Sequence, residues 1–157
     1  FGSDFAEAVL AAGFATGDLT DVAARVVAVH GAAGTDGFTD LMVAFKRIAN
    51  IVRKASEGGV DASGAIDASL LTDGAEEGLH AAFVELSGTV DAAIARRDYP
   101  AALDAMGSLR GPLADFFDHV MVMAEDPALR DNRVRLLARI QGAFARIADF
   151  SRISTER

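Results

Sequence analysis

The stretch TDLMVAFKRIANIVRKAS, residues 39–56, decides the fold class. At about 100° per residue, its apolar side chains fall on one side of a helix: Leu41, Ala44, Phe45, Ile48, Ile51, Val52 and Ala55. Its basic and amide side chains fall on the opposite side: Lys46, Arg47, Asn50, Arg53 and Lys54. This pattern predicts an amphipathic helix with an apolar face in a core. Its cationic face is expected to have no carboxylate of the same helix to pair with.

Six further helices are predicted from the same apolar period and from Gly and Pro breaks. They are expected at about residues 3–12, 20–30, 75–97, 100–109, 111–123 and 127–151. Ser3 and Asp126 are the predicted N-caps of the first and the last helix, and Pro127 fits the first helical turn. Gly31 and Gly34 are predicted to end the second helix.

The composition favours one all-α domain. The chain has 157 residues, of which 51% are hydrophobic, and this is enough to bury a core. Residues 57–73 are rich in Gly, Ser and Asp and predict a loop with one short helical turn near 68–71. No internal repeat or alternating strand pattern is apparent. We therefore predict a compact helical bundle of six or seven helices, forming a single domain over residues 1–157.

The sequence contains no apolar run of about 18 residues and no signal-peptide pattern. We therefore expect a cytoplasmic protein without a membrane partner. The chain has no Cys, which excludes disulfides, thiolate metal sites and a Cys nucleophile. Because the first residue is Phe1 rather than Met, the chain is expected to be a fragment of a longer protein.

Charge is distributed unevenly along the chain, whose formal net charge is -8. Residues 1–40 carry -5 and residues 57–126 carry -11, whereas residues 41–56 and 127–157 each carry +4. Clustered Lys and Arg side chains supply much of the affinity of proteins for nucleic acids. The two basic segments therefore favour RNA or DNA binding. The alternative is a solvated surface paired with acids from other helices.

The arginines of the last predicted helix fall into two groups. Arg135, Arg139 and Arg146 share one strip of the helix surface. Arg133 falls inside the apolar arc, so its charge needs a carboxylate partner or backbone carbonyls. Asp115 and Asp118 are the candidate carboxylates for this structural contact. In the sixth helix, the apolar side chains on one side are predicted to lie in the core: Phe116, Phe117, Val120 and Met123.

No catalytic or metal site is predicted. Glu77 and His80 have the Glu-x-x-His spacing of carboxylate-bridged di-iron bundles, but the motif occurs once and the remaining ligands are missing. The glycine-rich stretches lack the Gly-Lys-Ser/Thr ending of a phosphate-binding loop. The three His lie in separate predicted segments, and no Ser stands in a Gly-x-Ser-x-Gly elbow.

Two signatures carry a resemblance to a known family. The stretch FKRIANIVRK, residues 45–54, resembles the Lys-Arg-x-x-Asn-Ile helix in the C-terminal domain of the bacterial glycyl-tRNA synthetase β subunit. The stretches FFDHVMVM, residues 116–123, and EDPALRDNR, residues 125–133, are similar to a second signature of that domain. Phe45 and His119 depart from the family pattern, in which Asn is common at both positions. The resemblance covers nearly the whole chain.

The resemblance implies a helical anticodon-binding domain that binds tRNA for glycine. It implies that ATP and Mg are bound by the separate α subunit, which associates with the full β chain, and that this chain holds no cofactor and no catalytic residue. The predicted RNA-binding residues are Lys46, Arg47, Asn50, Arg53, Lys54, Arg130, Asn132, Arg135 and Arg139. Two alternatives are a subunit-interaction bundle without RNA contact and the related domain of arginyl-tRNA synthetase.

Overall fold

The computed structural model describes residues 3–13 and 18–154, and seven α-helices occupy most of this range. They are α1 Ser3–Ala11, α2 Leu19–Ala32, α3 Asp36–Glu57, α4 Gly74–Ala95, α5 Tyr99–Gly107, α6 Arg110–His119 and α7 Pro127–Ala145. Two short 3₁₀ helices are Ala68–Leu70 and Phe150–Arg152. Strands are absent from the described residues, so the predicted all-α fold is confirmed, as is the helical turn within the 57–73 loop.

Aspartate side chains start four of the helices. The carboxylates that accept backbone N–H groups at the starts of α2, α4, α5 and α7 belong to Asp18, Asp73, Asp98 and Asp126. These bonds satisfy donors that have no partner inside a helix. The predicted Asp126 cap is therefore confirmed, with Pro127 in the first turn. Helix α1 is described from Ser3 onward, and the predicted cap depends on residues 1 and 2, which lie outside the described residues.

Helices α3 and α7 pack against each other in the core. Phe45 of α3, Phe144 of α7 and Phe150 of the second 3₁₀ helix pack together, with ring centroids 5.2 to 5.8 Å apart. All three rings are buried, as are Leu41 and Ile48 on the same side of α3. This confirms the predicted apolar face of α3. Helix α4 packs against α5 and α6, while α2 packs against α1 and α5.

Several predicted helix ends were wrong, most of them by one or two residues and those of α6 and α7 by more. Helix α2 continues through Gly31 to Ala32. Helix α6 ends at His119, because Val120 adopts an extended conformation with φ -110° and ψ 123°. Burial then alternates along the chain: Val120 and Val122 are buried, whereas Met121 and Met123 are 72% and 51% exposed. The prediction of Met123 as a core residue was therefore wrong.

The predicted end of α7 was also wrong, because the helix stops at Ala145 instead of continuing to about residue 151. The chain turns so that Phe150 enters the core, and the Asp149 N–H donates to the carbonyl of Ala8 at 2.8 Å. No Gly or Pro marks this turn. Tertiary packing ends the helix here.

A buried polar network joins α2, α5 and the C-terminal end of α7. Arg25 is buried, and its guanidinium donates to the Asp21 carboxylate at 2.7 Å and to the carbonyl of Arg146. The Tyr99 hydroxyl donates to the same Asp21 carboxylate. Burial raises the pKa of Asp21, but the hydrogen bonds from Tyr99 and Arg25 outweigh it and leave that pKa below its ordinary value of 3.8.

Among the described residues, no helix is both long enough and apolar enough to cross a membrane.

Candidate nucleic-acid interface

The basic face of α3 lies at the protein surface. Arg47, Asn50, Arg53 and Lys54 are exposed, and Lys46 is partly buried. All five belong to one continuous helix, Asp36–Glu57, whose other side is fixed in the core by Phe45 and its neighbours. A rigid helix therefore presents these side chains together.

Arg53 differs from its neighbours because it has an acidic partner on the same helix. Its guanidinium donates to Glu57 at 2.8 Å and to the Asn50 side-chain oxygen at 2.9 Å. Helix α3 extends one residue beyond its predicted C-terminal end and includes Glu57, so the expectation of a face without an intrahelical carboxylate was wrong at this position. The Arg53–Glu57 pair is more than half exposed, and such pairs are weak and easily exchanged.

Arg47 and Lys54 have no salt bridge to any residue that the structure describes. The Arg47 guanidinium instead lies over the ring of Phe117, with its central carbon 4.2 Å from the ring centroid. Phe117 is held in turn by Phe116, whose ring is fully buried and meets it edge to face at 5.5 Å. Arg47 is therefore held on an aromatic surface with its charge uncompensated by a carboxylate.

An exposed apolar side chain adjoins this pair. Val43 lies one helical turn before Arg47, on the same side of α3, and is 59% exposed. The outer face of α3 is thus a mixture of cationic, amide and apolar groups.

The basic residues of α7 have a different environment, and Arg133 shows it most clearly. Its side chain is buried and donates through Nε and Nη2 to the fully buried carboxylate of Glu76, with Nε 2.9 Å from Oε1. Nη1 donates to the carbonyl of Met121 at 2.8 Å. The predicted inward orientation is confirmed, but the predicted partners, Asp115 and Asp118, were wrong. Glu76 of α4 takes that role.

Asn132 is also buried, with no exposed surface. Its side-chain oxygen accepts the N–H of Asp67 at 2.7 Å, and its amide donates to the carbonyl of the same residue at 3.0 Å. Both sides of the amide are therefore engaged in fixing the 57–73 loop to α7. The prediction of an RNA contact at Asn132 was wrong, because no surface of this side chain is accessible.

The other arginines of α7, and Arg146 directly after it, are divided among several contacts. Arg130 pairs with Asp131 at 3.0 Å, and the Arg135 Nε donates to the carbonyl of Asp61 at 3.0 Å. Arg146 pairs with the Asp91 carboxylate of α4. Arg139 is exposed and has no salt bridge within the described part of the chain. Of the residues predicted on this helix, Arg139 retains the most accessible charge.

Phe117 and Glu76 are the two important residues that the sequence analysis did not assign to a site. Phe117 was interpreted as a core residue, whereas in the structure it is only partly buried. Nearby His119 is exposed, and its Nδ1 donates to the Asp115 carbonyl at 2.9 Å. This bond and the charge of Asp115 raise the pKa of His119 above its ordinary value of 6.5. Among the described residues, no cluster of His, Asp and Glu could hold a metal ion.

A groove with a volume of about 710 Å³ lies between α2, the start of α3 and α5. Its lining is mostly apolar and includes Val27, Phe38, Leu41 and Leu103. The lining residues do not include any member of the basic α3 face. The groove and the basic face are therefore separate features.

A comparison with known protein families agrees with this helical fold and its exposed basic helix. Residues 41–154 match the family described as "DALR anticodon binding domain", and the chain belongs to this family. The matched range includes the basic face of α3, Phe117 and all of α7.

Curated relatives narrow the comparison. The chain is 46% identical over 156 residues to a protein of an Anaeromyxobacter species named "Glycine--tRNA ligase beta subunit". Proteins with the same name in Geotalea uraniireducens and Myxococcus xanthus are 44% and 42% identical over 154 residues. These matches cover 98 to 99% of this chain but 21 to 22% of each relative. The chain thus spans about a fifth of the length of these relatives.

Proposed function

We propose that this chain is the tRNA-binding module of a cytoplasmic glycine–tRNA ligase β subunit and that it binds the anticodon region of tRNA for glycine. In this proposal the module acts within a larger enzyme. The ligase reaction, with its ATP and magnesium, takes place on the α subunit, which the remainder of the β chain contacts. Binding by this module increases the affinity of the enzyme for the correct tRNA.

The observation that carries the proposal is the outer face of α3. It presents Arg47 and Lys54 without a described carboxylate partner, in a chain whose family is named for anticodon binding. Lys and Arg bind RNA phosphates, and each contact releases counterions from the RNA. The Asn50 amide lies between them along the helix, and its side-chain N–H groups can donate to a base edge while its oxygen accepts from Arg53.

The alternatives that the sequence left open receive less support. The relatives carry the glycine ligase name rather than an arginine ligase name. A bundle that only contacts other protein chains does not account for unpaired cations on the exposed side of α3. If the domain contacted only protein chains, it would have no specific affinity for RNA. The following experiment measures that affinity.

Neutralisation of one cation at a time tests the proposal. We expect Lys54→Gln to weaken binding of tRNA for glycine by roughly threefold to tenfold near 0.1 M salt, because one phosphate contact is lost. The slope of log K against log salt should also fall by about 0.7 to 1. Fluorescence anisotropy with labelled tRNA over a series of salt concentrations measures both quantities.

Arg96→Gln is the matched control, since Arg96 is 63% exposed near the end of α4 and has only a 4.0 Å contact with Asp98. It removes the same charge from a surface that the proposal does not use. Equal salt slopes for Lys54→Gln, Arg96→Gln and the unaltered chain would contradict the proposal. Arg139→Gln, measured in parallel, tests whether the exposed arginine of α7 extends the interface.

A further inference from the structure

Arg47 is the cation of the α3 face whose orientation is most restricted. Its guanidinium lies 4.2 Å from the centroid of the Phe117 ring, and Phe117 is supported by the buried ring of Phe116. Phosphate binding alone does not require such support, since a flexible Lys or Arg can follow a phosphate group. Arg47 is exposed although its guanidinium lies over the ring, so the side of the guanidinium away from Phe117 can accept a second planar group.

A second planar face of this kind suits an unpaired nucleobase. Bases in single-stranded RNA loops stack on aromatic rings and on Arg guanidinium planes. The donors at the edge of the guanidinium stay available, because no described residue forms a salt bridge with Arg47. The exposed Val43, one turn away on the same side of the helix, supplies apolar surface for a base or a ribose.

We infer that an unpaired nucleobase of the bound RNA stacks on the outer face of the Arg47 guanidinium, so that Arg47 is sandwiched between the base and the Phe117 ring. This inference rests on the proposed function and adds a specific subsite to it. Phe117 is a positioning residue here: it does not touch the base, and it holds the guanidinium plane parallel to it. Arg47 therefore contributes through its shape as well as its charge.

Two conservative variants separate shape from charge. Arg47→Lys keeps the positive charge but removes the planar group, and Phe117→Leu keeps an apolar side chain against Phe116 but removes the ring. We expect each variant to weaken binding of the anticodon stem-loop of tRNA for glycine by about tenfold, as is typical for the loss of one stacked base. The salt slope should stay unchanged, because no phosphate contact is removed. Thermal unfolding followed by circular dichroism verifies that each variant is folded.

The RNA is altered in the same experiment. Stem-loops with an abasic nucleotide at each loop position in turn are titrated against the unaltered chain, Arg47→Lys and Phe117→Leu. For the unaltered chain, one abasic position should weaken binding by about tenfold. In both variants that penalty should disappear, because the base and the guanidinium act as one unit.

The outcomes distinguish the two proposals. If the chain binds RNA with the expected salt dependence but the abasic penalties are the same in all three proteins, the stacking inference is wrong and the proposed function stands. If the unaltered chain does not bind the stem-loop or the whole tRNA, both fail. An Arg96→Lys variant, which changes an arginine outside the α3 face, should show the abasic penalty of the unaltered chain.

Discussion

The segment 41–56 within α3 and the segment 127–157, which contains α7, carry equal net charge, +4 each, but their basic side chains have different environments. In α3 the cationic face is turned to solvent, and Arg47 and Lys54 have no carboxylate partner among the described residues. In α7, Arg133 and Asn132 are buried and bind α4 and the 57–73 loop. Local charge density therefore does not identify an RNA-binding surface. What matters is whether other elements pack over the charged face.

We expect the largest change in stability when Arg133 is replaced. Replacement by Met should lower the free energy of unfolding by about 3 kcal/mol, because the Glu76 carboxylate is left buried without its cation. Urea denaturation measures the change. Glu76→Leu combined with Arg133→Met should recover much of the loss, since two apolar side chains then replace the pair. If Arg133→Met were as stable as the unaltered chain, the structural role of this arginine would be refuted.

The next effect concerns two asparagines in opposite environments, the buried Asn132 and the exposed Asn50. Asn132→Ala should cost about 2 kcal/mol of stability, because both hydrogen bonds from the buried Asn132 side chain to the backbone of Asp67 are lost. RNA affinity of the folded protein should not change directly. Asn50→Ala, on the exposed face of α3, should leave stability within about 0.5 kcal/mol and weaken RNA binding. Chemical denaturation and anisotropy on both variants test the pair, and the reverse pattern would invert the assignment of the two helices.

The smallest effect concerns the C-terminal end of α7, where Arg25 binds the carbonyl of Arg146 and is itself held by Asp21. The pKa of Asp21 is lower in the folded protein, so its ionised form contributes stability above pH 3.8. That contribution is lost as pH falls through the folded pKa. Asp21→Asn should cost about 1 kcal/mol at pH 7. The difference from the unaltered chain should vanish at strongly acidic pH, as measured by urea denaturation at several pH values.

The apolar face of α3 and the inward orientation of Arg133 could both be predicted, because each depends only on position around one helix. The partner of Arg133 could not be predicted, since Glu76 lies 57 residues away and the pairing requires the packing of α4 on α7. The sequence contains several other acidic residues that were equally plausible partners of Arg133. The choice among them is made by tertiary structure.

Asn132 illustrates a different failure. It stands in the polar stretch Arg-Asp-Asn-Arg, residues 130–133, which reads as surface. Its burial depends on the 57–73 loop crossing α7, and loop paths leave no periodic signal. The ends of α6 and α7 were predicted too late for a related reason, because neither end is marked by Gly or Pro.

The alternating segment after α6 also gives the molecule two classes of sulfur. Met121 and Met123 are 72% and 51% exposed, whereas Met42 and Met106 have no exposed surface. Peroxide converts accessible methionine to its sulfoxide. In the folded chain the outer pair would be oxidised first while the inner pair stays protected by the bundle. The fraction of Met42 and Met106 that is oxidised, measured by mass spectrometry after peroxide treatment, thus reports how often the core opens.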